Sequence, residues 1–222
     1  MGVVNGNDAE STAENISEAL ATTGCIVLDH TLPAETVWQL NRRARELEAT
    51  RAYSPAGIGR GGTHHRDETV RSDEILWLSG EHPAEAAYLS WMEDLRVGLN
   101  QRLFLGLFDY ECHFAVYAPG AYYRRHLDAF QGHRNRIVTT VFYLNSSWNA
   151  QDGGELLIYG KDKQTDDTDS PLQVVSPTFG RLVVFLSDQY PHEVLPANRR
   201  RYSIAGWFRL NVSGSHRIDP AR

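Results

Sequence analysis

A chain of 222 residues, 41% hydrophobic and 23% charged, is long enough to bury one sizeable core, and no apolar run approaches the roughly 20 residues that cross a bilayer. The balance of 22 Lys and Arg against 28 Asp and Glu, net −6, argues against a bulk electrostatic grip on nucleic acid. Two cysteines, Cys25 and Cys112, cannot form a disulfide framework, and the start MGVVNGNDAE lacks a basic-then-apolar leader, so the expectation is a cytoplasmic protein with free thiols and neither a membrane nor a nucleic-acid partner.

Residues 1–10 are polar and unpatterned and read as a loose end. Ile16, Ala19, Leu20 and Ala21 predict a helix from Ser11 to about Thr22, closed by Gly24 before the apolar run Cys25–Leu28. Thr31 to Glu35, with Pro33 early, opens a second helix whose apolar positions Val37, Leu40, Ala44 and Leu47 run to about Ala49. Residues 53–69 are too rich in glycine for regular structure. Gly57, Gly59 and Gly62 match the letters of a dinucleotide fingerprint, but no strand precedes them and no helix follows, so the match is accidental. Ile75–Leu78 is strand-like, and His82 to about Asn100 is a third helix with Leu89, Met92, Leu95 and Leu99 on one stripe.

From Tyr110 the texture changes to short apolar or alternating runs between turn residues. Eight strands are predicted, over 112–117, 122–127, 137–144, 155–159, 172–175, 181–185, 192–194 and 202–210. The polar insert from Lys161 to Ser170 is a surface loop, and no internal repeat is present. The fold expected is α+β and mainly β, a jelly roll over 110–210 with the helices of 11–100 on one outer face, forming one domain over 1–222.

His126-Leu127-Asp128 places two metal-capable side chains at i and i+2, the same face of a strand. His192 opens a later strand. Two histidines and one carboxylate on a β scaffold form the facial triad that holds non-haem Fe(II) and leaves positions open for small molecules. The His-x-Asp pair alone occurs by chance, and His30, His64, His65, His82, His113, His133 and His216 read as structural or solvated. Arg201 lifts the triad, because a guanidinium in an apolar pocket holds a carboxylate by paired charge-assisted bonds. Strand parity places Arg201, Ser203, Ala205 and Trp207 on one face. The arginines at 124, 125, 134, 136, 199, 200 and 201 make either a local anion-friendly mouth or a set of solvated side chains.

With these residues in view, the sequence resembles the iron- and 2-oxoglutarate-dependent dioxygenases, in particular the prolyl 4-hydroxylase group of oxygen-sensing type and its bacterial relatives. The similarity runs from about Arg71 to Phe208 through Arg71–Leu78, Tyr117-Ala118-Pro119-Gly120, Tyr123–Asp128, Arg136–Trp148, Gly153-Gly154, Pro191–Val194 and on to Trp207. It implies His126, Asp128 and His192 as the iron ligands and Arg201 as the partner of the distal carboxylate of 2-oxoglutarate. Tyr143 resembles the tyrosine that donates to the same carboxylate. Thr139, Tyr117, Leu156, Ser203 and Trp207 fall where the family lines its cofactor or substrate pocket, and the segment 53–68, flanked by Arg60, Arg66, Arg71 and Asp73, falls where it carries a lid. Ser203 gives an Arg-x-Ser arrangement similar to that of other 2-oxoglutarate oxygenases. The implied reaction uses Fe(II), 2-oxoglutarate and O2, yields succinate and CO2, hydroxylates a prolyl residue of a protein substrate, and draws on L-ascorbate to rescue oxidised iron. A protein of the translation machinery is one expected target. A hydroxylase of a free amino acid or small metabolite, and a silent metal-binding jelly-roll sensor, are the competing readings; a nucleic-acid demethylase is disfavoured by the acidic balance.

Overall fold

The computed structural model describes residues 9–57, 67, 69–129, 135–160 and 170–211. Helix α1 (Ala9–Thr22) buries Thr12, Ala13, Ile16, Ser17 and Leu20, a stripe at helical spacing. It ends at Gly24, whose φ of +75° is open to a residue without a Cβ. Strand β1 (Cys25–Leu28) follows, then α2 (Ala34–Ala49), whose Val37, Leu40, Ala44 and Leu47 are buried as the periodicity predicts. Helix α3 (Pro83–Leu103) begins with the His82 ring accepting the Ala84 N–H at 3.2 Å and ends at Phe104 with φ 54°. Two boundaries differ from expectation: α1 starts inside the stretch read as loose, and α3 continues three residues past Asn100.

Between the helices lie β2 (Ser54–Pro55) and β3 (Glu74–Trp77), which pair with each other. The start of the glycine-rich loop is therefore tied to a sheet edge. Residues 58–66 and 68, with Arg60 and Arg66, lie outside the described residues, as do 161–169. The eight predicted strands are all present: β4 (Leu107–Tyr117), β5 (Tyr123–His126), β6 (Arg136–Tyr143), β7 (Leu156–Ile158), β8 (Gln173–Val175), β9 (Leu182–Leu186), β10 (His192–Val194) and β11 (Arg201–Leu210). β4 starts five residues earlier than the apolar run from Cys112 suggested.

Every ladder is antiparallel, and the strands form two sheets, β1-β9-β6-β11-β4-β3-β2 and β5-β10-β7-β8. Strand parity divides the large sheet into two faces. Phe114, Val116, Phe142, Val184, Ile204 and Phe208 point outward into a core shared with the three helices. Ala115, Tyr117, Val141, Tyr143, Val183 and Phe185 point inward and meet Leu156, Ile158, Val175 and Val194 of the small sheet. This is the jelly roll with helices on one outer face that the sequence predicts, and its inner face carries the polar chemistry.

Candidate metal centre and anion pocket

His126 ends β5 and His192 begins β10, and the two are register partners across the small sheet. Their rings lie 4.3 Å apart between centroids. Asp128, two residues past His126, brings Oδ1 to 3.7 Å from His126 Nε2 and Oδ2 to 3.5 Å from His192 Nε2. One ligand atom from each of the three lies within 4.8 Å of the others, so one small ion satisfies all three at once.

Backbone carbonyls set the tautomers. His126 Nδ1–H donates to Arg124 O at 2.8 Å and His192 Nδ1–H to Tyr190 O at 3.0 Å. A carbonyl only accepts, so in each neutral ring the Nε2 lone pair faces the cluster. Burial, followed by the neighbouring His126, pushes His192 down to about 4 and leaves it neutral at physiological pH. Burial works to raise the Asp128 carboxyl, but His192, His126 and Arg136 together hold it far below the carboxylate range. Two neutral imidazoles and one carboxylate are the donor set that suits Fe(II). Thr139 Oγ1 donates to Asp128 Oδ2 at 2.8 Å and lies 2.9 Å from Ser187 Oγ; it orients a metal ligand from the floor of the site. The Tyr123 ring stacks on His126 at 3.6 Å and 15° and fixes the plane of that imidazole.

The second half of the site lies deeper in the barrel. Arg201, at the start of β11 and paired in register with Tyr117, is 1% exposed. Its Nε donates to Gly154 O at 2.9 Å and its Nη1 to Ser203 Oγ at 3.4 Å, while Nη2 has no partner. No carboxylate pairs with it among the described residues, although a buried guanidinium without a counter-ion is costly. The rings of Tyr117 and Tyr143 flank it at 4.9 and 5.0 Å. The Tyr143 hydroxyl is also buried without a partner; burial raises its pKa against the pull of Arg201, so it is a donor. A buried cation, an orphaned N–H and an orphaned O–H together match the distal carboxylate of a dicarboxylate such as 2-oxoglutarate. Gly154 makes this fit possible, since a Cβ there would stand 3.2 Å from Arg201 Cδ and 2.8 Å from Ala197 Cβ.

Leu156 is buried on β7 and faces inward from the small sheet. Trp207 is buried on the inner face with its Nε1–H unpartnered, and the Arg136 guanidinium covers its ring at 3.4 Å. Arg71 and Asp73 do not stand free: they form a bidentate pair at 2.7 and 2.6 Å, and Arg71 lies over the Tyr123 ring at 4.2 Å. The arginine cluster disperses. Arg200 reaches Glu48 at 2.7 Å, Arg199 reaches Asp152 at 3.5 Å and Arg136 reaches Glu111 at 2.9 Å, whereas Arg201 alone of these turns into the barrel without an acid. His82 caps a helix, while His64, His65, His133 and His216 lie outside the described residues. His113 is buried between Trp77 and Trp207 on the inner face. Sequence reasoning does not name Glu111 or Ser187 as site residues and names Arg136 only within the arginine cluster; Glu111 shares the inward parity of Ala115 and Tyr117, whereas Arg136 sits at a register shift and Ser187 just past the end of β9, where parity gives no signal.

Two histidines and a carboxylate at the mouth of a jelly roll, with a buried arginine beneath them, define a non-haem iron oxygenase. The family model described as the 2OG-Fe(II) oxygenase superfamily matches residues 112–209. Human prolyl hydroxylase EGLN3 is 32% identical over 212 residues, which cover 90% of this chain and 85% of that protein. Human Egl nine homolog 1 is 32% identical over 196 residues, 83% of this chain and 43% of that protein. Among solved structures, a Pseudomonas putida prolyl-4-hydroxylase is 43% identical with a TM-score of 0.77, covering 89% of this chain and 98% of its own. A prolyl hydroxylase in complex with a hypoxia-inducible-factor peptide fragment, from Trichoplax adhaerens, is 28% identical with a TM-score of 0.77, covering 90% of both chains. The chain belongs to the 2OG-Fe(II) oxygenase superfamily, and its relatives are prolyl hydroxylases. It spans 43% of human Egl nine homolog 1 and 28% of the Caenorhabditis elegans hypoxia-inducible factor prolyl hydroxylase.

Proposed function

We propose that this protein is an Fe(II)- and 2-oxoglutarate-dependent hydroxylase of a prolyl residue in a protein substrate. The observation that carries the reading is Arg201, a guanidinium held inside the barrel with its Nη2 unpartnered and, among the described residues, no acid beside it. A metal-storing or silent jelly roll has no use for such a residue, whereas a dicarboxylate cosubstrate neutralises it. When bound, iron and 2-oxoglutarate supply O2 activation, with loss of CO2 and formation of succinate. The chain's own residues do the positioning. Arg201 and Tyr143 hold the distal carboxylate, Gly154 O and Ser203 Oγ fix the guanidinium, and the carbonyls of Arg124 and Tyr190 hold both imidazoles in the ligating tautomer. Leu156, Ile158, Val183 and Phe185 keep water from the cavity.

Both the resemblance of the neighbouring structures, one of them in complex with a peptide, and the aromatic pair Trp77 and Trp207 on the inner face of the large sheet support a peptidyl substrate. Ascorbate as the reductant, a cytoplasmic location and a target in the translation machinery belong to the same proposal; the buried free thiols of Cys25 and Cys112 support the compartment. The test is turnover of Fe(II)-loaded protein with 2-oxoglutarate on a library of capped peptides with a central proline, alongside free amino acids. Peptide-dependent succinate with one oxygen gained on proline is the expected result. Turnover of free amino acids with inert peptides assigns the metabolite reaction instead, and iron binding without succinate from any candidate overturns both.

A further inference from the structure

His113 has no task in the chemistry above, yet it occupies the inner face of the large sheet. Across β3, β4, β11 and β6 the register runs Trp77, His113, Ala205, Val141. Ala205 is the smallest of the four and the only one of the β11 positions from Arg201 to Phe208 that is not fully buried, so the row is a trough with Ala205 at its low point. Trp77, 43% exposed, forms the outer lip. The His113 ring is wedged between Trp77, edge-on at 5.1 Å and 85°, and Trp207, tilted at 5.5 Å.

The hydrogen-bonding state of the ring is fixed. Nδ1–H donates to the Phe114 carbonyl at 3.2 Å, and desolvation, reinforced by Arg71 and Arg136 and opposed by Asp73 and that carbonyl, pushes its pKa down to about 4. At physiological pH the imidazole is neutral and its Nε2 is an acceptor. Nε2 has no hydrogen bond among the described residues. Beside it the Trp207 Nε1–H is an orphaned buried donor. An aromatic wall that leaves the imidazole acceptor without a protein partner and the neighbouring indole N–H buried and unpartnered offers bonding capacity to a polar ligand.

Position fixes what that ligand is. Thr139, which holds the metal ligand Asp128, lies on β6, and β4 is two strands away in the order β6-β11-β4. Two strand spacings, combined with the two-residue step along β6 from Val141 in the His113 row to Thr139, make about 12 Å, which an extended peptide crosses in about three to four residues. We propose that His113 is a specificity-determining residue of the substrate trough, its Nε2 accepting a hydrogen bond from an N–H or O–H of the substrate three or four residues from the reacting proline. This rests on the prolyl-peptide reading and names the part of the peptide that is read.

The test is affinity selection from a capped proline-centred peptide library on protein loaded with Mn(II) and 2-oxoglutarate. Wild type is compared with His113→Phe, which keeps the ring packing, and His113→Gln, which restores an acceptor. The inference predicts that wild type enriches prolyl peptides with a donor at one fixed offset, that the Phe variant binds them about 2- to 13-fold more weakly, and that the Gln variant recovers part of the loss. N-methylation or donor removal at that offset weakens wild type and leaves the Phe variant unmoved, a pattern that general loss of packing does not produce. If the Phe variant selects the same peptides with the same affinity, His113 reads nothing and the inference falls while the prolyl hydroxylase reading stands. If wild type enriches no prolyl peptide, the functional reading itself falls and takes the inference with it.

Discussion

The two faces of the seven-stranded sheet are built from the same alternating strands and do opposite work. On the outer face, under the helices, the large buried polar side chains find partners: Asn41 Nδ2 donates to Leu144 O at 2.6 Å, and Tyr88, Tyr110 and Thr140 form a hydroxyl chain with O···O distances of 3.2 and 2.8 Å. On the inner face Arg201 Nη2, Tyr143 Oη and Trp207 Nε1 are buried and unsatisfied. Among the described residues the other buried side-chain atoms without a partner, in Ser17, Thr31 and Gln189, are neutral and lie on three separate segments. Stability is concentrated on one face and unmet bonding capacity on the other, which is how a rigid sheet comes to carry a site that is complete only with its ligand.

That contrast is broken most strongly by changing one face at a time. Phe142→Ala, on the outer face, is expected to cost about 3–5 kcal/mol of stability through the cavity it leaves, read by denaturant unfolding, with no change in 2-oxoglutarate affinity for the folded fraction. Arg201→Met reverses the pattern. Losing the paired bonds to the carboxylate lowers 2-oxoglutarate affinity by about 100-fold, and removing an uncompensated buried charge raises the melting temperature of the cosubstrate-free protein.

A pH titration of metal-free protein sharpens the same point. His113 and His192 are both held near 4, below the ordinary value of 6.5. In that window the unfolded chain binds more protons than the folded one, so stability falls as pH drops from 6.5 towards 4, by up to about 3 kcal/mol for each ring. His113→Phe is expected to flatten that slope, and an unchanged slope places the titration elsewhere. The smallest effect is expected from Thr139→Val, which removes the donor to Asp128 Oδ2. Iron affinity falls about 10-fold while stability changes little, as competition with a chelator would read.

How much of this was legible in the sequence depends on which face a residue serves. The helical stripes and all eight predicted strands are found, because period 3.6 and short runs between turn residues report burial directly. The ligand spacing of His126 and Asp128, and the parity that lines up Arg201, Ser203 and Trp207, survive for the same reason. His113 and Glu111 were hidden because β4 is buried on both faces, so its alternation between outward Phe114 and inward His113 is not an alternation of polarity. Resemblance assigns Arg71 and Asp73 to the flank of a lid; that they neutralise each other is a side-chain contact their spacing does not report. The early start of β4 and the short pairing of β2 with β3 depend on neighbours distant in sequence, which no local pattern reports.

The most direct test of the central claim is anaerobic titration of the Fe(II)-loaded protein with 2-oxoglutarate, followed through the visible charge-transfer band of the chelate, in wild type and Arg201→Met. A saturable band in wild type that requires about 100-fold more cosubstrate in the variant is the predicted result. Bound iron with no band in wild type, or a band indifferent to Arg201, would contradict the assignment of the inner face as a 2-oxoglutarate site.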